Sequence, residues 1–390
     1  PVSGPGEFPV SLGTLEKNVI ESGEVFGFKL LKQVNNEEMD KNLFISPLSV
    51  SMALGMTFNG AEWTTKEAMR STLEFDGLTD IEINETYKKL MTALTGFDSR
   101  VTMQIANSIW HKDDYTFEEA FFNICRDYFN AEVRGEDFSD PATVDLINGW
   151  IDTHTNGKIT EVIDEIEPLV VMYLINAIYF KGTWQYEFDE GETADAEFTK
   201  PGGDKVNCKM MHQENKFRYL SNDDFQAVDL PYGDGNFCMT VLLPKDGKDI
   251  DELIGEFSKD NWNRWLNDMA EKEGVVELPR FKMEYEITLN DVLKALGMGV
   301  AFGGGADFTK MYSPGGIFID EVIHKTFVEV NEEGTEASAV TVVVMRETST
   351  GGDDDDSFYF RADRPFVYVI HEKQSGTLLF IGKIVVPSEG

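Results

Sequence analysis

Apolar side chains recur at helical spacing through the first part of the chain. In residues 14–35 they lie three or four positions apart, which predicts an amphipathic helix. Ser46 before Pro47 is a typical helix start, because the serine side chain can cap the backbone and proline fits the first turn. We therefore predict a buried helix over 50–58 that ends at Gly60. Further helices are predicted after a cap at 64–67 and over 83–95, 116–130, 144–155, 249–271 and 288–297.

Runs with strand character dominate the rest of the chain. Residues 170–179 are apolar almost throughout, which predicts a central strand buried on both faces. The other predicted strands are 101–110, 194–199, 205–212, 216–220, 226–231, 237–243, 275–278, 317–330, 366–372 and 378–386. Helices come early, strands come late, and no linker interrupts them. This order predicts an α+β fold in one domain over residues 1–390.

The charge is strongly negative. The 390 residues include 70 acidic and 34 basic side chains, for a net charge of −36. Such a field repels nucleic acid and anionic membranes. No apolar run is long enough to span a membrane. Lys88-Lys89 is the only adjacent basic pair on the early helices, so heparin-type activation is not expected.

The sequence carries no recognisable catalytic or metal motif. It has no G-x-S-x-G element, and its five histidines have no local partner pattern. Gly303-Gly304-Gly305 lacks the Lys-Ser/Thr ending of a phosphate loop. Three cysteines, Cys125, Cys208 and Cys238, are too few and too scattered for a disulfide framework or a zinc site, and we expect core thiols. We therefore predict neither an enzyme nor a bound cofactor or metal.

An unusual segment lies near the C-terminus. An acidic turn containing Gly334 leads through small residues into the β-branched run 340–345, and Gly351-Gly352 and the aspartates 353–356 follow. One interpretation is a core strand followed by a surface loop. The other is a strand held outside a sheet and able to enter it. The alternation favours the second interpretation. The residues on one face are Thr335, Ala337, Ala339, Thr341, Val343 and Met345.

Several segments spread over about 340 residues resemble the serpin family. Three of them are Asn42-Leu43-Phe44-Ile45-Ser46-Pro47-Leu48-Ser49, Ile175-Asn176-Ala177-Ile178-Tyr179-Phe180-Lys181-Gly182-Thr183-Trp184 and Glu332-Glu333-Gly334-Thr335-Glu336-Ala337-Ser338-Ala339. The others are 59–61, 147–150, 155–159, 230–232, 243–244, 278–281, 297–298, 324–325 and 360–366. Each match is weak alone, and their order along the chain makes the set specific. The resemblance implies a serpin-like fold with a large central mixed β-sheet, smaller sheets, about nine helices and an exposed reactive-centre loop, here residues 331–357.

The function implied by the resemblance is suicide inhibition of serine proteases. The protease attacks one bond of the loop and forms an acyl-enzyme. The hinge side then inserts into the main sheet, so about fourteen residues at roughly 3.3 Å each would carry the bond some 46 Å. No charged, bulky or proline side chain stands at Thr335, Ala337 or Ala339, which favours an active inhibitor. The alternative is a non-inhibitory member acting as a chaperone or storage protein.

The same resemblance assigns roles to residues outside the loop. Glu332 and Arg280 would pair at the top of the sheet, although two separate exposed charges are the plain alternative. Trp184 marks the point where the loop first enters. A polar cluster that lets the sheet open would comprise Ser46, Ser49, Asn176 and His324. An ordinary core histidine is the plain alternative for His324, and it is compatible with this role.

Two counts place the reactive bond differently. Thr348 lies fourteen residues after Gly334, which predicts cleavage at Thr348–Ser349. Met345 and Arg346 are rival positions. Counting back from Pro365 instead puts the bond near Asp354. We favour the hinge count, because the inserting strand is measured from the hinge.

The candidate bonds suggest different target proteases. Thr348 suits elastase-like or subtilisin-like proteases, whereas Arg346 suits trypsin-like ones. We expect a monomer that is extracellular or in the cell envelope. The alternative is a cytoplasmic protein, and the lack of a signal peptide in this sequence does not decide between them.

Overall fold

A computed structural model describes residues 6–335 and 357–388. Nine α-helices lie in these ranges: α1 (Thr14–Glu37), α2 (Pro47–Gly60), α3 (Trp63–Thr72), α4 (Asp80–Leu94), α5 (Glu119–Phe129), α6 (Ala142–His154), α7 (Ile250–Glu256), α8 (Lys259–Asp268) and α9 (Asn290–Leu293). The strands are β1 (Leu43–Ile45), β2 (Val101–Lys112), β3 (Glu132–Glu136), β4 (Met172–Thr183), β5 (Ala194–Thr199), β6 (Lys205–Ser221), β7 (Phe225–Tyr232), β8 (Phe237–Pro244), β9 (Ala270–Pro279), β10 (Phe281–Thr288), β11 (Ile323–Val330), β12 (Gly334–Thr335), β13 (Phe358–Arg361), β14 (Phe366–Glu372) and β15 (Leu378–Ile384).

The strands form two mixed sheets. The nine-stranded sheet has the order β1-β15-β14-β8-β7-β6-β9-β13, with β5 paired to β6. The six-stranded sheet has the order β10-β11-β12-β4-β2-β3. Each contains one parallel pair, β9 with β13 and β2 with β3, among antiparallel neighbours. The predicted α+β fold with a large mixed sheet and about nine helices is confirmed.

Helix α2 lies in the core and contacts β4 of one sheet and β15 of the other. All but one of its residues are buried. Its start follows the predicted chemistry: the Ser46 hydroxyl accepts a hydrogen bond from the Ser49 N–H at 3.2 Å, and Pro47 is the first helical residue. The helix therefore links the packing of the two sheets.

Two predicted helix features differ from the structure. The predicted helix 249–271 is two helices, because Ser258 interrupts it and caps α8 through the Asn261 N–H. The predicted cap at 64–67 is wrong: α3 begins at Trp63 after Glu62, and the Thr65 hydroxyl accepts from the Asp307 N–H instead.

Two strand predictions also differ. In the predicted strand 317–330 only Ile323–Val330 is a strand, because the backbone before it bonds elsewhere, for example from the Ile319 N–H to the Ala301 carbonyl. β4 is shifted to Met172–Thr183, and most of its side chains are only partly buried. Its edge toward β11 pairs only with the two-residue β12, so fewer neighbours cover it.

No helix in residues 6–335 and 357–388 combines the length and apolarity that a membrane span requires.

Candidate functional site

A tight turn, residues 331–334, joins β11 to β12 within the six-stranded sheet. The Asn331 N–H donates to the Gly334 carbonyl at 3.0 Å, and the Asn331 side-chain oxygen accepts from the Glu333 and Gly334 N–H groups. The Trp184 N–H donates to the Glu333 carbonyl at 2.7 Å. The turn is therefore fixed at both ends, and Asn331, to which the sequence assigned no role, organises it.

Gly334 and Thr335 form β12, which lies between β11 and β4. Thr335 pairs with Val330 on one side and with Gly182 on the other. A Cβ on Gly334 would lie 2.0 Å from the Gly182 carbonyl oxygen, so only glycine fits at this approach. Gly334 and Thr335, the first residues of the segment expected to insert, thus already lie between β11 and β4.

A buried aromatic pair holds Thr335 in place. The Tyr232 hydroxyl and the Thr335 hydroxyl are 2.6 Å apart, and both residues are buried. Trp184 stacks on Tyr232 with ring centroids 4.4 Å apart, and its indole N–H donates to the Asn331 carbonyl at 2.9 Å. Trp184, expected at the point where the loop enters, thus lies beside the turn and beside β12. Tyr232 carried no assigned role, although it lies in one of the matching segments, 230–232.

Glu332 and Arg280 do pair. The Arg280 Nε donates to Glu332 Oε1 at 2.7 Å, and Nη2 lies 2.6 Å from the same oxygen. The Thr193 hydroxyl also donates to this oxygen. The Glu332 side chain is 4% exposed, against 34% for Arg280. A buried carboxylate needs such partners, so the pair anchors the turn to the start of β10.

Below Thr335 a cleft separates β4 from β11. Within the described residues these two strands are joined only through β12. The cleft leaves about 300 Å³ of space, part of it open to solvent. It is lined by Ile178, Tyr179 and Phe180 of β4, by Phe327, Val328 and Glu329 of β11, and by Thr155, Lys158, Ile159 and Thr335. Two facing strand edges of this kind are a template for one more strand.

Three residues of the predicted polar cluster do lie together. The Ser46 N–H donates to His324 Nε2 at 3.0 Å, and the Ser46 hydroxyl donates to the Leu379 carbonyl at 2.7 Å. Ser49 joins through the helix cap. Burial lowers the pKa of His324 to about 4, so the ring is neutral at physiological pH. The cluster ties β11 to the start of α2 and to β15.

Asn176 makes other hydrogen bonds. Its side-chain N–H donates to Asn107 Oδ1 at 2.8 Å, and Asn107 in turn donates to the Phe129 carbonyl at 2.7 Å. No hydrogen bond joins Asn176 to His324, Ser46 or Ser49 in the described part of the chain. The buried Oδ1 atom of Asn176 has no hydrogen-bond partner. The predicted cluster is therefore divided: Asn176 lies on β4, whereas His324 lies on β11 and contacts Ser46 at the start of α2.

The chain rejoins the nine-stranded sheet at β13, where Phe358 stacks on Tyr219 with centroids 4.0 Å apart. The segment between the two sheets includes Glu336, Ala337, Ser338 and Ala339 of the hinge and the reactive-bond candidates Met345, Arg346, Thr348 and Ser349. These residues lie outside the described ranges.

Comparison with known proteins decides the family. A family model described as "Serpin (serine protease inhibitor)" matches residues 21–387. The chain belongs to the serpin family. Among serpin relatives, an uncharacterised serpin-like protein of Thermococcus kodakarensis is 32% identical over 96% of this chain and 87% of its own length. A leukocyte elastase inhibitor of Xenopus laevis is 33% identical over 93% of this chain and 97% of its own.

Solved serpin structures share the fold. The native state of tengpin, a thermophilic serpin, is 29% identical and superposes with a TM-score of 0.87, over 99% of this chain and 97% of its own. Human thyroxine-binding globulin, solved with its hormone, is 26% identical with a TM-score of 0.86, over 96% of this chain and all of its own. The family thus includes protease inhibitors and members that do not inhibit proteases.

Proposed function

We propose that this serpin is a suicide inhibitor of serine proteases, acting as one domain whose reactive loop spans residues 331–357. One observation carries the proposal: β12 already occupies the first position between β11 and β4, while the edges below it are joined by no other strand of the described chain. A strand that continued from Thr335 would add hydrogen bonds along both edges.

The register of β12 indicates how far the loop can insert. Because Thr335 lies opposite Gly182, each further residue moves one position back along antiparallel β4. Residue 345 would then face Met172, the first residue of β4. At roughly 3.3 Å per residue this strand would be about 33 Å long. The last paired residue would lie three positions before Thr348, so we retain Thr348–Ser349 as the reactive bond on the count from the hinge, with Met345 and Arg346 as rivals.

The chemistry follows from the acyl-enzyme mechanism of the protease. The protease serine attacks the carbonyl of Thr348, and the segment from Ser349 onward leaves as an amine. The hinge side, covalently attached to the protease, is then free to extend β12 down the cleft. Displacement of the protease before its ester hydrolyses gives a stable covalent complex. Targets would be elastase-like or subtilisin-like for Thr348 and trypsin-like for Arg346.

Incubation with elastase, subtilisin and trypsin tests the proposal. We expect at least one covalent complex that survives SDS and boiling. The same protease with its nucleophilic serine changed to alanine is the control and should give no such complex. Turnover of the chain as a simple substrate by all three would favour the non-inhibitory alternative, a chaperone or storage role.

The mass of the fragment released on complex formation locates the bond. We expect a fragment that begins at Ser349. A fragment that begins after Met345 or Arg346 would move the bond to a rival, and one that begins near Asp354 would favour the count from Pro365. The variants Thr348→Glu and Arg346→Gln are a matched pair, and only the first should abolish inhibition.

We further propose that the inhibitor is a monomer that works outside the cell or in the cell envelope, with the cytoplasm as the alternative. Its strongly acidic surface gives no basis for partnership with nucleic acid, membranes or heparin.

A further inference from the structure

Three side chains with metal-binding atoms meet inside the nine-stranded sheet. Strands β7, β8 and β14 are antiparallel neighbours, with β8 in the middle. His371 of β14 lies directly opposite Cys238 of β8. Asp229 of β7 lies opposite Thr240, two residues along β8 from Cys238. Residues two apart on a strand share a face, so these four side chains converge on one patch.

The potential ligand atoms of Asp229, Cys238 and His371 lie close together, and all three residues are buried. One carboxylate oxygen of Asp229, the Cys238 sulfur and a ring nitrogen of His371 all lie within 4.8 Å of one another. The exposed fractions of the three residues are 3%, 0% and 3%. In residues 6–335 and 357–388 this is the only such group of potential ligands. Burial of an acid, a thiol and an imidazole in mutual contact is costly unless they bind something or bond one another.

The surroundings resemble the outer shell of a metal site. Arg218 Nη1 donates to Asp229 Oδ2 at 3.0 Å, which orients the carboxylate. The Thr240 hydroxyl donates to Asp229 Oδ1 at 2.6 Å and lies 3.0 Å from His371 Nε2. Ligating histidines and carboxylates are commonly held by such second contacts.

We propose that Asp229, Cys238 and His371 bind a structural Zn²⁺ ion that joins β7, β8 and β14, with the Thr240 hydroxyl oxygen as the fourth donor. The donor set of one sulfur, one nitrogen and oxygens suits zinc, which is commonly four-coordinate. Zinc bonds of about 2.0–2.3 Å require the donor atoms to close in by roughly 1 Å. On binding, the Cys238 thiol releases its proton to solvent and a Zn–S bond forms.

Charge favours a dication at this position. With the thiol deprotonated, the site holds two negative charges, those of Asp229 and Cys238, and the guanidinium of Arg218 offsets one of them. Zn²⁺ would balance both negative charges, so that with Arg218 the group carries one net positive charge. The sequence did not reveal this group, because its members are separated along the chain and meet only through strand pairing.

Cobalt incorporation tests the site, since Co²⁺ replaces Zn²⁺ and absorbs visible light. The full chain is produced in cobalt-supplemented minimal medium, and metal content and absorption are measured. We expect about one cobalt per chain, a thiolate-to-cobalt charge-transfer band, and the strong visible bands of tetrahedral cobalt. Cys238→Ser should lose the metal and the band. Cys208→Ser, which changes another buried thiol outside the group, should keep both.

A second measurement tests the site in the unmodified chain, so it does not depend on a variant that folds. Removal of zinc from the unmodified chain with a chelator should lower its melting temperature, and zinc should restore it. A metal content far below one per chain, or a cobalt spectrum without the charge-transfer band, would overturn the proposal. So would a band that persists in folded Cys238→Ser protein.

Discussion

The hydrogen bond from the Ser46 N–H to His324 Nε2 requires the lone pair of a neutral imidazole. Protonation of this nitrogen would break the bond and place a charge in the core between β11 and α2. Burial accordingly lowers the pKa of His324 from 6.5 to about 4. His324 is thus a core histidine whose ring nitrogen joins β11 to the start of α2.

We predict that His324 makes the fold acid-sensitive. Between pH 6.5 and about 4 the unfolded chain binds a proton that the folded chain does not, so stability falls as pH falls through this window. The contribution is about 3 kcal/mol. His324→Gln should flatten the decline in urea-unfolding free energy over this range. His154→Gln, at the partly exposed end of α6, is the control. An unchanged slope in His324→Gln would contradict the assignment.

Glu24 on α1 has the opposite effect on how the stability of the fold depends on pH. It is 6% exposed, and burial raises its pKa from 4.5 to about 7, against a partial offset from Lys259. Between these values the folded chain holds a proton that the unfolded chain has released. Stability therefore falls as pH rises from 4.5 to about 7.

We predict that Glu24→Gln stabilises the protein at neutral and alkaline pH. The gain should reach up to about 3 kcal/mol above pH 7 and vanish toward pH 4.5, because glutamine cannot ionise. Unfolding free energies across this range measure it. Glu37→Gln, on the exposed end of the same helix, should show no such gain. An equal effect at all pH values would indicate packing rather than ionisation.

At the level of elements, the two-residue strand β12 decides whether the loop can advance. Thr335 is 4% exposed and contacts Tyr232, so its side chain must fit a closed space before any later residue can follow. The small side chains predicted along the same face of the hinge would meet that requirement. We therefore expect the size of the side chain at position 335 to limit the first step of insertion.

We predict that Thr335→Arg converts the inhibitor into a substrate. The guanidinium cannot enter the closed space beside Tyr232 without losing its water, so insertion should stall and the acyl-enzyme should hydrolyse. Gel analysis should show cleaved serpin and active protease in place of the SDS-stable complex. Thr92→Arg, on the exposed face of α4, controls for the added charge. Inhibition by Thr335→Arg equal to that of the parent would show that insertion does not begin there.

Elements with local signals could be predicted from the sequence. The spacing in 14–35 and the Ser46-Pro47 cap located α1 and α2, and the resemblance directed attention to Arg280 and Glu332. Features set by distant partners could not be predicted. The contact between Tyr232 and Thr335, the separation of Asn176 from His324 and the start of β11 at Ile323 all depend on how the strands align. No local pattern encodes that alignment.

On the scale of the molecule, the six-stranded sheet has a gap between β4 and β11, which only the two-residue β12 bridges in the described residues. β4 and β11 of the six-stranded sheet face each other across a cleft with β12 at its top, and the Oδ1 atom of Asn176 on β4 is buried without a hydrogen-bond partner. A buried polar atom without a partner raises the free energy of the folded state. One additional strand from the same chain would add hydrogen bonds between β4 and β11. Inhibition by insertion therefore requires the uncut form to be less stable than the form with the loop inserted.

The melting temperature of nicked protein tests this requirement most directly. The loop is cut by a protease that does not form a complex, the protease is removed, and both forms are heated at one scan rate. We expect the nicked form to melt more than about 10 °C higher, because insertion adds on the order of ten residues of paired strand. A nicked form that melts at or below the temperature of the uncut form would contradict the account.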